Sequence, residues 1–441
     1  MMKNWKKALS LESGILLLLL IATTSLPLAA QTITTFSVTG ATNTFPAAIN
    51  LSGTVAGEFQ DASFYLHGFV RAPNGTITTF DPTFCTAGST AVIGSSAINN
   101  PGAVIGFCTA GIIQVGFLRD PLGNFTEIDP PGSTLTQVNS INNSGEVAGS
   151  YVDSERPEKT HGFVWSSAGG YTSFDVPAPG GTYAEDNFGI DIVSINSSGQ
   201  VAGYYYVSSS VSDGFLRASD GTFTTFPAPV AGDRVQATSM NDTAAITGFY
   251  TLGFSGTANY YGLLHQGGTT TSFDVPGETQ TLAESINSYG TIVGSGETGF
   301  NNAIGFVRDP LGTITTFVVP TADNTQPQSV NDLGVIAGIW LGPSPSFTRH
   351  GFIAVFTPAQ IVSNLIIGLQ GMNITGLGTS FTDQLQQVET DLTANNGLAC
   401  GDLVLFADHV KAQTGKKITI AQANQLLADV ASIEAVLSCG P

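Results

Sequence analysis

The sequence predicts a mainly β protein, a seven-bladed β-propeller closed by an N-terminal strand and followed by a small all-α helical bundle. Three observations carry that prediction. Seven copies of one pattern fill residues 48–356: an Asn, a Gly three residues on, a Gly four further, then Gly-Phe and Thr-Phe. The anchors Asn50, Asn99, Asn142, Asn196, Asn241, Asn287 and Asn331 recur every 43 to 54 residues, a period typical of four-stranded propeller blades. An eighth, partial copy supplies only the last piece. Thr32-Ile33-Thr34-Thr35-Phe36 repeats Thr313-Ile314-Thr315-Thr316-Phe317, whereas the seventh copy stops at Phe352-Ile353-Ala354-Val355-Phe356. A strand missing at one end and spare at the other is how a circular fold closes. A parallel β-solenoid gives that displaced strand no purpose.

Residues 1–30 read as a secretory signal peptide. Lys3, Lys6 and Lys7 precede an apolar run over 14–22, and Leu28-Ala29-Ala30 offers a small-residue cleavage site before Gln31. The run is too short to span a bilayer, and no second one approaches that length, so no transmembrane anchor is expected after its removal. Residues 31–356 then form the propeller.

The third copy shows the four strands of one blade. A first strand over 138–142 meets the turn Asn143-Ser144-Gly145, where Gly takes positive φ. A second strand covers 146–151 and a third 162–166. Ala168-Gly169-Gly170 turns the chain into a fourth over 171–176. Val, Ile, Phe and Thr dominate these runs, as strands require. The Gly recurring in the second strand (Gly57, Gly106, Gly149, Gly203, Gly248, Gly294, Gly338) is expected to mark close backbone approach between neighbouring blades.

If the Thr-Phe strand is outermost, the Asn strand lies nearest the axis, where small residues such as Ala47, Ala48 and Ser140 fit. The two short turns of every blade then share one face and the long, variable connections the other. Function on such a scaffold is expected on the long-loop face.

From 357 the period becomes helical. Thr357-Pro358-Ala359-Gln360 and Thr419-Ile420-Ala421-Gln422 are capping boxes. Ile420, Ala423, Leu427, Val430, Ile433 and Leu437 follow at helical spacing, and further amphipathic stretches cover 380–394 and 398–413. Residues 357–441 are therefore read as about four short helices. Four cysteines in an exported chain suggest two disulfides, and three pairings are formally possible. Locality favours Cys85–Cys108 within the repeats and Cys400–Cys439 within the tail.

Composition excludes some partners. With 14 Lys+Arg against 33 Asp+Glu and a net charge of −19, the chain repels phosphate backbones, so no nucleic acid is expected. Cationic ligands or Ca²⁺ are permitted, but no Asp-x-Asp-x-Asp-Gly run is present and no cofactor is predicted. Neither a Gly-x-Ser-x-Gly elbow, a His-Glu-x-x-His, a phosphate loop nor a dinucleotide fingerprint occurs.

His67, His161 and His350 share the position before Gly-Phe. A metal-holding ring is weighed against repeat consensus, which is preferred because metal sites need converging ligands. Asp81, Asp129, Asp175 and Asp274 follow the fourth strand and read as loop-capping residues, since an active site needs asymmetry. Tyr183, Glu185, Asp186 and Asp191 break the repeat and gather acids beside an aromatic on the long-loop face. Tyr204, Tyr205, Tyr250 and Trp340, with Phe59, Tyr65, Tyr206, Tyr260 and Tyr261, put rings near the loops that follow the second strand, where they could stack on sugars or anchor a protein.

Ser140-Ile141-Asn142-Asn143-Ser144-Gly145, Val147-Ala148-Gly149 and His161-Gly162-Phe163 resemble the HAF extracellular repeat family of bacteria over about 48–356. The resemblance implies an exported propeller and no catalytic residues. The tail over 361–438 resembles the helical module called FIMAH. It does so through Leu365, Gly368, Leu385, Leu392, Ala399-Cys400, Phe406 and Ile420-Ala421-Gln422-Ala423 with Leu426-Leu427, which implies surface attachment or association.

The reading is an exported, non-catalytic propeller, a binding or cell-envelope interaction module using its long-loop face. Its partner is a polysaccharide or an envelope or extracellular protein. The alternative is a glycan-active hydrolase or lyase using acids in the 153–158 and 183–191 loops.

Overall fold

The computed structural model describes residues 32–155, 159–177, 189–208, 211–230, 233–251, 259–299, 302–343 and 347–355. In the tail it describes 362–363, 365–366, 369, 374, 380–394, 397–437 and 439. The predicted signal peptide and the first capping box lie outside these residues.

The chain is mainly β and propeller-like. In the third repeat Ser133–Ile141, Val147–Asp153, Thr160–Ser166 and Gly170–Phe174 pair antiparallel in chain order. The first strand starts earlier than predicted. In the seventh repeat Asn324–Val330, Ile336–Leu341 and Arg349–Val355 pair likewise, and Thr32–Phe36 adds the fourth strand, from Thr32↔Val355 to Phe36↔Gly351. Hydrogen bonding sorts the described strands into five sheets. Two of these each join neighbouring repeats through one parallel pair, Gln114↔Leu135 and Ser212↔Arg234. The second repeat departs most from the pattern. Its inner segment makes only isolated bridges at Ala91, Ser96 and Ile98, and Cys85–Cys108 ties it to the next strand.

The anchor Asn caps the first turn of its own repeat. In all seven copies its Oδ1 accepts the N–H four residues on, at 2.8–3.0 Å. Position three after the Asn takes positive φ and is Gly in six copies, such as Gly145 at 83°, but Ala244 in the fifth, at 60°.

Gly-Phe and Thr-Phe are two halves of one contact. The Gly of Gly-Phe has no Cβ because the fourth-strand Phe lies on it: a Cβ at Gly68 would meet Phe80 at 2.3 Å, and at Gly351 would meet Phe36 at 2.4 Å. That Phe also reaches the next repeat, edge-on to its Gly-Phe ring. Phe80–Phe117, Phe273–Phe306, Phe317–Phe352 and Phe36–Phe69 all have centroids 6.0–6.1 Å apart. Arg71, Arg119, Arg217 and Arg308 each cover the preceding repeat's Phe at 4.8–5.2 Å. The second-strand Gly has a different reason from the one predicted. A Cβ there would strike the first strand of its own repeat, Phe45 O at 2.2 Å from Gly57 and Leu282 O at 2.0 Å from Gly294. Close approach therefore occurs within a repeat, beside the bulge in its first strand.

Three helices are described in the tail: α1 (Ser380–Ala394), α2 (Ala399–Gln413) and α3 (Ile420–Leu437). The second capping box forms as predicted, Gln422 N–H donating to Thr419 Oγ1 at 3.1 Å and Thr419 N–H to Gln422 Oε1 at 2.9 Å. Cys400–Cys439 joins α2 to the segment after α3. None of the described helices is long and apolar enough to cross a membrane. One continuous buried cluster runs from Leu365, Phe406, Leu426 and Ile433 to Tyr289 and Leu333 in the turns of repeats six and seven. The buried Tyr289 hydroxyl hydrogen-bonds the Asp429 carboxyl of α3.

Ala244 offers a direct check of the turn. A left-handed conformation is strained for Ala and free for Gly, so Ala244→Gly is expected to stabilise by about 0.5–1 kcal/mol in urea unfolding. Unchanged or lower stability would show that the turn carries no such strain.

Candidate functional site

The first strands meet around an axis, and hydrogen bonds pass there from repeat to repeat. The Asn Nδ2 of one repeat donates to the anchor Asn carbonyl of the next. The links are Asn50 to Asn99, Asn99 to Asn142, Asn142 to Asn196, Asn241 to Asn287, Asn287 to Asn331, and Asn331 back to Asn50, at 2.9–3.1 Å. Asn196 instead donates to Gln200 Oε1. The fourth and fifth repeats are joined by Ser194 Oγ donating to Met240 O and Ser197 N–H donating to Asp242 Oδ1. Two residues before the Asn, Ser140, Ser239, Ser285 and Ser329 accept N–H groups of Ile195, Ile286, Val330 and Ile49. The small axial residues predicted from sequence thus serve as acceptors as well as leaving room.

These layers enclose a polar cavity of about 150 Å³ lined by all seven repeats. It lies at the short-turn end of the axis, not on the long-loop face where a site was expected. On its inner side the irregular segment of repeat two reaches both its neighbour, repeat three, and the non-adjacent repeat seven. Ser329 Oγ of repeat seven donates to Ser95 O at 3.0 Å, and a Cβ on Gly94 would lie 2.7 Å from Asn139 O of repeat three.

The long-loop half of the axial strands varies in chemistry between repeats. Five residues before the Asn stand Phe45, Gln137, Asp191, Gln236, Leu282 and Gln326 in repeats one and three to seven; three before it stand Asn139, Glu284 and Gln328 among others. Four carboxyls lie on these and the adjoining second strands, Glu58 in repeat one, Asp191 in repeat four and Glu284 and Glu297 in repeat six, and none is ion-paired with a cation among the described residues. Burial pushes Glu58 up to about 7, although the Val92 N–H donates to it at 2.9 Å. Burial and the charge of Glu297 push Glu284 up to about 8. Asp191 and Glu297 are raised by burial too, opposed by hydrogen bonds from Tyr204 and Gln326.

Of the predicted site residues, Tyr183, Glu185 and Asp186 lie outside the described residues. Tyr204, Tyr205, Tyr250 and Trp340 were expected as loop rings, and that is corrected. They sit inside the strands Val201–Ser208, Ile246–Thr251 and Ile336–Leu341, which run further than the repeat suggested. Tyr205 and Tyr250 are buried, Tyr250 stacks on Tyr261 at 5.3 Å, and Trp340 stacks on His350 at 4.6 Å. The three histidines form no metal ring, because the two nitrogens of each point to different partners. His67 meets Asp81 and Asp61, His161 meets Asp175 and Asp153, and His350 meets Ser37 and Thr348. Among the described residues no group of three or more His, Cys, Asp or Glu could hold a metal. Asp81, Asp129 and Asp175, expected as loop caps, are bonded by side chains: Asp81 takes Thr90 Oγ1, Asp129 takes Thr136 Oγ1, and Asp175 pairs with Lys159 and His161.

Sequence reasoning named Tyr65 among the rings of the long-loop face but missed Phe64 and Phe347. Phe64 is 71% exposed with φ 65°, and Phe347 is 47% exposed with φ 45°. Both lie in second-to-third-strand loops, in repeats one and seven, which adjoin. A bulky residue at positive φ is a genuine backbone outlier. Tyr65, beside Phe64, is 56% exposed. Only the loop lengths hinted at this, since left-handed backbone at Phe has no sequence signature.

No protein-family model matches the chain, and no curated protein matches it. Among solved structures, virginiamycin B lyase from Staphylococcus aureus, with quinupristin, is similar at 14% identity and TM-score 0.48, over 74% of this chain and 100% of that one. A polysaccharide lyase is similar at 7% identity and TM-score 0.46, over 73% and 99%. The Aleuria aurantia lectin with Fucα1-6GlcNAc is similar at 14% identity and TM-score 0.39, over 65% and 97%.

The axial carboxyls set a pH dependence. A carboxyl whose pKa is raised on folding binds more protons when native, so its contribution is present below the unfolded value of 4.5 and is lost as pH rises through the folded value of about 8. Stability is expected to fall between these limits by at most about 1.4 kcal/mol per pH unit for Glu284, and Glu284→Gln should flatten that part of the curve. Parallel curves for the two proteins would mean that Glu284 titrates normally.

Proposed function

We propose that this chain is an exported, non-catalytic binding module. Residues 31–356 close as a seven-bladed propeller of HAF-type repeats, and 357–441 form a FIMAH-like helical module docked on its short-turn side. Export rests on the leader signature of residues 1–30 and on the two disulfides, which suit an oxidising compartment. The ligand-binding surface is the long-loop face, and its partner is a polysaccharide or an envelope or extracellular protein.

The exposed Phe64 and Phe347, both held at positive φ, carry this reading. Strain of this kind costs about 1–3 kcal/mol per residue and persists where the surroundings over-determine it, commonly at ligand clamps. Two such rings and Tyr65 give flat, partly apolar contact area to a sugar face or a protein anchor. The axial acids behind them add hydrogen-bonding groups that differ from repeat to repeat, as selective recognition requires.

A glycan-active enzyme is the second reading, and the raised carboxyls favour it, because a general acid must hold its proton near neutral pH. Of the acids first considered for it, Asp153 faces His161 and Asp191 is bonded by Tyr204.

The test is retention of residues 31–441 on insoluble and arrayed polysaccharides and on envelope extracts, with and without Ca²⁺, with product analysis of the glycans. Retention without cleavage, reduced about tenfold or more by a Phe64→Ala/Tyr65→Ala/Phe347→Ala variant, is the expected result. Release of shortened glycans, abolished by Glu284→Gln, would instead establish the enzyme. Retention indifferent to the triple variant would remove the long-loop face.

A further inference from the structure

The axial cavity on the short-turn side is not used by the reading above, and its rim is built asymmetrically. The residue after each anchor Asn serves as the rim. In four copies its Oδ1 accepts the N–H of the same position one repeat earlier: Asn100 from Leu51, Asn143 from Asn100, Asp242 from Ser197, and Asp332 from Ser288, at 2.8–3.0 Å. These bonds use one terminal atom of each side chain. Asn100 and Asn143 keep an amide nitrogen, a donor, on the arc of repeats two and three. Asp242 keeps a carboxylate oxygen, an acceptor, on the arc of repeat five. The Oγ of Ser95, a residue of the same lining, is buried and has no hydrogen-bond partner.

We propose that this cavity binds one sugar ring, as the terminal residue of a glycan or as a free monosaccharide. Separate donor and acceptor arcs match a neutral molecule whose hydroxyls both give and take hydrogen bonds. A metal ion would need oxygens alone converging on one point. The volume, about 150 Å³, admits a single ring, and Leu51 gives the rim one apolar position for its C–H face. Tyr289, next to the rim residue Ser288, bonds Asp429 of α3, so the helical tail stands at the edge of this site. The ligand would thus meet the tail side of the molecule, opposite the long-loop face.

The experiment is calorimetric titration of residues 31–441 with D-glucose, D-galactose, L-fucose and N-acetyl-D-glucosamine in turn. Asn143→Asp and Asp242→Asn each retain the Oδ1 acceptor of the rim bond and change only the other atom. Ser95→Ala removes a hydroxyl that lies beneath the lining and serves as the control. Binding of at least one of the four sugars is expected, weakened about tenfold by each of the two rim substitutions with unchanged thermal stability. The Phe64→Ala/Tyr65→Ala/Phe347→Ala variant should bind that sugar as the parent does, which separates this site from the long-loop reading. No binding of any of the four sugars, binding indifferent to both rim substitutions, or binding lost in the loop-face variant would each overturn the proposal.

Discussion

One side-chain amide per repeat organises this molecule. The anchor Asn holds the first turn of its own repeat through Oδ1 and grips the next repeat through Nδ2, as Asn331 does with Val335 N–H and Asn50 O. Each bond nets about 1 kcal/mol, but leaving its buried partners unpaired costs about 1–3 kcal/mol apiece. The residue therefore couples local turn geometry to the assembly of the whole. Every copy holds its own turn and six of the seven grip the next repeat, Asn196 being the exception, so the short turns fall on one side of the axis and the longer connections on the other.

Further from the axis the same logic is carried by aromatic rings. The fourth-strand Phe fills the space left by a Gly in its own repeat and presents its edge to the buried Phe of the next. Phe36 does this for the seventh repeat from the other end of the chain, meeting Gly351 and Phe69. Closure thus rests on an inner contact, Asn331 with Asn50, and an outer one, Phe36 with Phe69. Among the described residues the tail adds to the sector of repeats six and seven, through Tyr289, Leu333 and the cluster they share with α2 and α3.

What could be read from sequence was whatever repeats. Asn, Gly, Gly-Phe and Thr-Phe recur because each satisfies a local need in every copy, so strand order, the displaced strand, both disulfides and the second capping box were legible. The Gly-Phe-x-Arg run at Arg71, Arg119, Arg217 and Arg308 was equally available as a repeated signal and was missed. Features that depend on long-range packing were not legible. Tyr205 and Tyr250 look like loop aromatics until strand length and burial are known. The raised carboxyls of Glu58 and Glu284 come from enclosure by neighbouring repeats, and the left-handed backbone of Phe64 and Phe347 from the loops around them. The second repeat shows the same limit: its Asn99, Gly102, Gly106 and Gly116-Phe117 are in place, with Glu127-Ile128 for Thr-Phe, yet its inner segment leaves the regular strand and reaches Ser329 and Asn139.

The circular character of the fold is most directly tested by residue-resolved hydrogen exchange of the seven amides that donate to the anchor Asn side chains. These belong to Thr54, Ala103, Glu146, Gln200, Ala245, Thr291 and Val335. A closed ring has no terminal repeat, so all seven should exchange through one cooperative opening with a common free energy. A gradient of protection, weakest at Thr54 and Val335 and strongest in the middle of the chain, is the behaviour of an open array that frays from its ends, and it would contradict closure.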